Sequence, residues 1–170
     1  MLLMELFEND SDHGEMLRKT GFWGAQGAGC LILAADTGRL CFTFRSESVE
    51  QPHTYGTFGG AIDRGHTPEQ TVRKEVSEES GYDGRYLDLI PLYKFEVPNF
   101  KYHNFLAVIE LEFDPIDTWE SEGHAWVDYG NWPKPLHFGS IKLLNDGPSN
   151  EAIKNAIKKY APHKAKRLGI

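Results

Sequence analysis

Cysteine is scarce in this chain: Cys30 and Cys41 are the only two among 170 residues. A disulfide framework uses more cysteines in a shorter secreted chain, and two thiols alone make a poor zinc site. Both sit in apolar stretches, AGCLILA and RLCFTF, and are read as buried free thiols. No apolar run reaches the ~20 residues of a membrane-spanning helix, so no membrane partner is expected. Positive charge is also short, with 18 Lys and Arg against 25 Asp and Glu and a net charge of -7. That balance disfavours broad nucleic-acid binding, which needs a basic surface. It leaves room for a small phosphate ligand, because bound cations neutralise both sides. The opening MLLMELFENDSDHGEM lacks the basic and long apolar regions of a signal peptide, so the cytoplasm is the expected location.

What remains is a soluble-type composition, 40% hydrophobic and 25% charged, in a chain long enough for one sizeable core. Repeats, low-complexity segments and linkers are missing. Residues 1–20 read as an N-terminal arm, a candidate homodimer element, and 21–165 as a single domain. GAGCLILA (27–34) and LCFTFR (40–45) read as a hairpin around Asp36-Thr37-Gly38. A loop with a short strand follows over 48–60, then a helix over about 67–80. Strands are expected at 86–97 and 102–113, joined across Pro98-Asn99, with a shorter one at 124–129. An amphipathic helix is expected over 148–161, capped by Ser149 or Asn150, with Ile153, Ala156, Ile157 and Tyr160 as its buried stripe. The tail PHKAKRLGI reads as solvated. Strands, helix, strands, helix is an α+β pattern, a mixed β-sheet between helices.

The segment GGAIDRGHTPEQTVRKEVSEESGY, residues 59–82, carries the chemistry. Thr67 as N-cap, Pro68 at N1 and Gln70 at N3 form a capping box, and Gly81 stops the helix. At about 100° per residue, Glu78 and Glu79 lie near −60° and +40° of Glu75, while Val72 and Val76 lie near +60° and +100°. The carboxylates therefore flank the apolar stripe rather than oppose it. Glu75 and Glu79 form a like-charge i,i+4 pair, and Glu78 and Glu79 sit at the negative end of the helix dipole. Two readings are open, a solvated charged face or a cation site. Hard cations such as Mg2+ take carboxylate oxygens and share them with substrate phosphates.

The same segment resembles the signature of the Nudix hydrolase (MutT-like) family: a glycine, five residues, a glutamate, seven residues, Arg-Glu, an aliphatic, any residue, Glu-Glu, any residue, glycine, an aliphatic. Gly60, Glu75, Val76, Glu78, Glu79 and Gly81 match at the correct spacing. His66 stands for the first glutamate, Lys74 for the arginine and Tyr82 for the last aliphatic. In the family that glutamate and arginine support each other, so here Asp63 or Glu69 is expected to substitute. The hairpin ending at Arg45 and the stretch GHAWVDYGNWPKPLHFG are similar to further family segments.

The resemblance implies a Nudix-like α/β/α sandwich and a nucleotide pyrophosphohydrolase, cleaving a nucleoside diphosphate linked to another moiety. It implies Mg2+, with Mn2+ as an alternative, held by Glu75, Glu78, Glu79 and the carbonyl of Gly60. Glu78 and Glu79 are the implied catalytic carboxylates. Glu120 and Glu122 are candidates for a base or further ligand from outside the signature, against an ordinary acidic loop. Arg45 and His66 are candidate substrate contacts, against a structural arginine and a solvated histidine. Trp119, Phe100 and Tyr102 are candidates to stack on a base, with packing as their plainer role. The competing function is a non-catalytic nucleotide-binding or protein-interaction module on the same fold, suggested by His66 and Lys74.

Overall fold

The computed structural model describes residues 26–170; the proposed arm at 1–20 lies outside the described residues. Seven strands are described, β1 (Gln26–Ala34), β2 (Leu40–Arg45), β3 (Tyr55–Gly56), β4 (Phe58–Ala61), β5 (Tyr86–Val97), β6 (Phe100–Ile109) and β7 (Ser121–Val127). They form one mixed sheet in the order β3-β2-β1-β6-β5, with β4 paired to β1 and β7 to β2. The β1–β6 pair is parallel and the other pairs of named strands are antiparallel.

β1 is apolar almost throughout because both of its faces are covered. Side chains alternate across a strand. Ala28, Cys30 and Ile32 therefore meet Val72 and Val76 of helix α1 (Pro68–Ser80). Leu31 and Leu33 meet Ile153, Ala156 and Ile157 of helix α3 (Gly147–Tyr160). The layers are helix, sheet and helix, as expected. Cys30 and Cys41 are buried and free, and burial raises both thiol pKa values, which keeps them protonated. Among the described residues no helix is long and apolar enough to cross a membrane.

Three local expectations are corrected. Helix α3 is capped by Asp146, whose carboxylate accepts from the N–H of Ser149 at 3.0 Å and from its hydroxyl at 2.6 Å. Ser149 and Asn150 fall inside the helix, because aspartate is an equally good cap and lies one turn earlier. The tail forms helix α4 (Pro162–Leu168), held by Lys164, whose side chain is 9% exposed and reaches Asp128 at 2.6 Å. The strand of 124–129 is shifted, starting at Ser121 and ending at Val127. A short helix, α2 (Phe138–Leu144), lies before α3.

Candidate active site

Helix α1 is fixed at both ends by its own sequence. Thr67 Oγ1 accepts from Gln70 N–H at 3.1 Å, and Gln70 Oε1 accepts from Thr67 N–H at 2.9 Å. Gly81 adopts φ 76°, a left-handed conformation that glycine enters without strain, and its N–H donates to the Ser77 carbonyl. With Val72 and Val76 buried against β1, Glu75 and Glu79 are turned toward β4.

Glu79 Oε2 accepts from Gly59 N–H at 3.2 Å. The Glu75 carboxyl lies directly over Gly60: a Cβ there would stand 2.6 Å from the carboxyl carbon and from Oε1. Residue 60 thus has no room for a side chain, and Glu75, 14% exposed, fills that space. Burial pushes the Glu75 pKa up to about 7, with Glu78 adding like charge. Burial and the charges of Glu75 and Glu120 push Glu79 well above the usual carboxylate range, opposed by the Gly59 hydrogen bond and by Arg45. Glu78 is exposed on the same helix. Glu75, Glu78, Glu79 and Glu120 therefore share one electrostatic neighbourhood, opposed by Lys74 at Glu75 and by Arg45 at Glu79.

Among the described residues no three His, Cys, Asp or Glu side chains are drawn together as a preformed metal cage. The fit to a divalent cation rests on the donor set. Glu75 and Glu79, crowded on a glycine backbone and raised in pKa first by burial and then by neighbouring carboxylates, are the hard oxygen donors that Mg2+ or Mn2+ takes. The alternative of a fully solvated face does not describe Glu75 or Glu79, which are turned onto the β4 backbone.

Lys74 Nζ lies 2.8 Å from Asp63 and 3.9 Å from Glu75. Asp63 thus supplies the partner expected for Lys74, tying the loop before α1 to the helix. His66 Nδ1 is 3.8 Å from the same Asp63 and is exposed. Glu122 is placed elsewhere: it accepts from Glu47 N–H at 3.3 Å and stands 3.5 Å from His53. Residues two apart on a regular strand share a face, but the pairing of β2 with β7 shifts at Glu122, where Phe44 pairs with Gly123 and Arg45 with Ser121, so Glu120 and Glu122 have different surroundings. Arg45 donates to the Glu50 carbonyl at 3.1 and 3.2 Å, which holds its guanidinium between the carboxylates and an adjoining cavity.

That cavity is walled by Tyr93, Phe95, Tyr102 and Phe138, with Asn104 and Ser140 among its polar groups. Tyr102 is buried, and its ring crosses β1 so that the hydroxyl stands where a Cβ of Gly59 would be, at 2.1 Å. Of the other stacking candidates, Phe100 is a core residue and Trp119 is exposed. Sequence reasoning missed the cavity because its walls come from β5, β6 and α2, far apart in the chain and carrying no motif.

The NUDIX domain model matches residues 25–146. The 8-oxo-dGTP diphosphatase of Escherichia coli (strain K12) is 26% identical over 128 residues, 75% of this chain and 92% of that one. The enzyme of the same name from Haemophilus influenzae is 28% identical over 131 residues, 68% of this chain and 88% of its own. Among solved structures, the Nudix hydrolase RenU from M. Smegmatis aligns with a TM-score of 0.64 at 21% identity, covering 81% of this chain and 89% of that chain. The C. elegans Ap4A hydrolase aligns with a TM-score of 0.55 at 15% identity, covering 85% and 99%. At such identities the structural likeness speaks to fold alone. A family model spanning most of the chain, a matching signature helix and a matching fold agree: the chain belongs to the Nudix hydrolase family.

Proposed function

We propose that the protein is a divalent-metal-dependent nucleotide pyrophosphohydrolase, hydrolysing a phosphoanhydride bond in a nucleoside diphosphate derivative. The observation that carries this reading is the Glu75–Glu79 pair, raised in pKa and pressed onto the Gly59-Gly60 backbone. Glu75, Glu79, Glu78 and the Gly60 carbonyl would hold Mg2+, with Mn2+ as a substitute. When bound, such an ion neutralises non-bridging phosphate oxygens and makes a bound water more acidic. Arg45 orients the phosphate chain between cavity and carboxylates. Glu120, which acts electrostatically on Glu75 and Glu79, takes the proton of the attacking water. The water oxygen bonds to phosphorus as the bridging P–O bond breaks, and the leaving phosphate departs with that bond's electron pair. His66 and Glu122 have no role in this scheme.

The substrate is a small nucleotide. The names of the bacterial relatives make 8-oxo-dGTP the first compound to test, beside ordinary dNTPs, ADP-ribose and a dinucleoside tetraphosphate. The non-catalytic alternative rested on His66 and Lys74. The Lys74–Asp63 ion pair removes the argument from lost support. Assaying nucleoside monophosphate release with Mg2+ tests the reading. Glu79→Gln should lower turnover by orders of magnitude without unfolding the protein, and undiminished turnover in that variant would sink the proposal.

A further inference from the structure

We propose that Ser140 is a specificity-determining residue that reads the base of the bound nucleotide; this rests on the pyrophosphohydrolase reading above. The cavity beside the carboxylates has the lining of a heterocycle site, aromatic walls with few polar groups. Arg45 belongs both to that cavity and to the electrostatic neighbourhood of Glu79. A nucleotide with its phosphates at Arg45 therefore extends its base inward, between Phe95 and Phe138.

Asn104 of β6 and Ser140 of α2 are among the polar side chains that line the cavity. Asn104 Nδ2 donates to the Tyr93 carbonyl at 2.9 Å, at the irregularity where β5 leaves its register with β6. That bond fixes the carboxamide and gives it a structural task, leaving Oδ1 as its accepting end. Ser140 is different. It is 2% exposed, it lines the cavity, and its hydroxyl has no hydrogen-bond partner among the described residues. A serine within a helix commonly returns its hydroxyl to the carbonyl four residues back, as Ser80 does to Val76. Ser140 stands in the first turn of α2, so the residue four back, Leu136, precedes the N-cap His137 and offers no helical carbonyl to take its hydroxyl. A buried hydroxyl without a partner is costly and uncommon; the oxygen is covered in the ligand-free fold, and rotation about the Cα–Cβ bond of this cavity-lining residue would turn it to a ligand as its partner. The hydroxyl both donates and accepts, so it pairs with a ring nitrogen, carbonyl or amine on a base edge. Losing one such pairing inside a closed site penalises the preferred base far more than a base that never made it.

The test is Ser140→Ala, compared with wild type in steady-state hydrolysis of the four dNTPs and 8-oxo-dGTP, with thermal unfolding of both proteins without ligand. We expect KM for the preferred nucleotide to rise about five- to tenfold, the loss of one hydrogen bond. The spread between preferred and poor bases should narrow, with kcat little changed. Because the removed hydroxyl has no partner in the fold, the unfolding midpoint should hold or rise. Unchanged KM and unchanged base preference would overturn the proposal, as would a lowered midpoint with preference intact, which would make the hydroxyl structural. A wild-type protein that hydrolyses none of these nucleotides would refute the pyrophosphohydrolase reading itself, a result visible before any variant is compared.

Discussion

Without divalent cations, the protein should become less stable as pH rises from about 4.5 to about 7. Glu75 sets that window. Its ordinary pKa is 4.5, and in the fold burial and the Glu78 charge raise it to about 7. The native state therefore keeps a proton that the unfolded chain has already released. Below 4.5 both states are protonated and the group costs nothing; above about 7 both are ionised and the whole cost is felt. The interval is about 2.5 pH units at about 1.36 kcal/mol each, or about 3 kcal/mol. At 14% exposure the side chain gains little from solvent screening. Glu79 is displaced in the same direction and adds to the loss. A cation that binds only the folded state at one hundred times its Kd returns about 2.7 kcal/mol. The assay is urea unfolding in EDTA and in Mg2+ at about pH 5 and about pH 8, for wild type and Glu75→Gln. Wild type in EDTA should lose stability relative to Glu75→Gln between the two pH values, and Mg2+ should restore it at the higher pH only. Equal stability differences at both pH values in EDTA would refute the electrostatic account of the cluster.

The remaining predictions concern the glycine floor and the C-terminal helix. Gly59→Ala would place a methyl 2.1 Å from the Tyr102 hydroxyl and 2.6 Å from the Ala28 carbonyl oxygen. Backbone cannot yield there, so chemical denaturation should show a loss of about 3 kcal/mol. Gly60→Ala meets instead the end of the flexible Glu75 side chain, so it should displace that carboxylate and weaken Mg2+-dependent turnover more than stability, read by kinetics beside thermal unfolding. Lys164→Ala removes the partner of Asp128 and the packing of α4, and should cost about 1–2 kcal/mol in urea unfolding while turnover stays unchanged.

Local chemistry was legible wherever neighbouring residues decide the outcome. The boundaries of α1 follow from Thr67, Gln70 and Gly81, and the observed caps are those. That its glutamates flank the apolar stripe followed from the helical period and from Val72 and Val76. Asp63 as the partner of Lys74 was one of two candidates eleven or fewer residues away. Legibility failed where partners are distant. Nothing near residue 164 signals that Lys164 will lie on Asp128, so a tail read as solvated is a packed helix. Asp146, Ser149 and Asn150 are all good caps, and the choice among them falls to where α2 ends. Glu120 and Glu122 look equivalent in sequence, yet the irregular pairing of β2 with β7 at Phe44 and Arg45 separates their surroundings. The cavity with Ser140 required the sheet to be assembled first.

The most direct measurement is a Mn2+ titration followed by electron paramagnetic resonance, on wild type, Glu75→Gln and Glu79→Gln. Wild type should take up the ion, and each substitution should weaken uptake by about tenfold or more, the loss of one charged ligand. Equal uptake by all three proteins would place the ion elsewhere and contradict the account of residues 75–79 as the reacting centre.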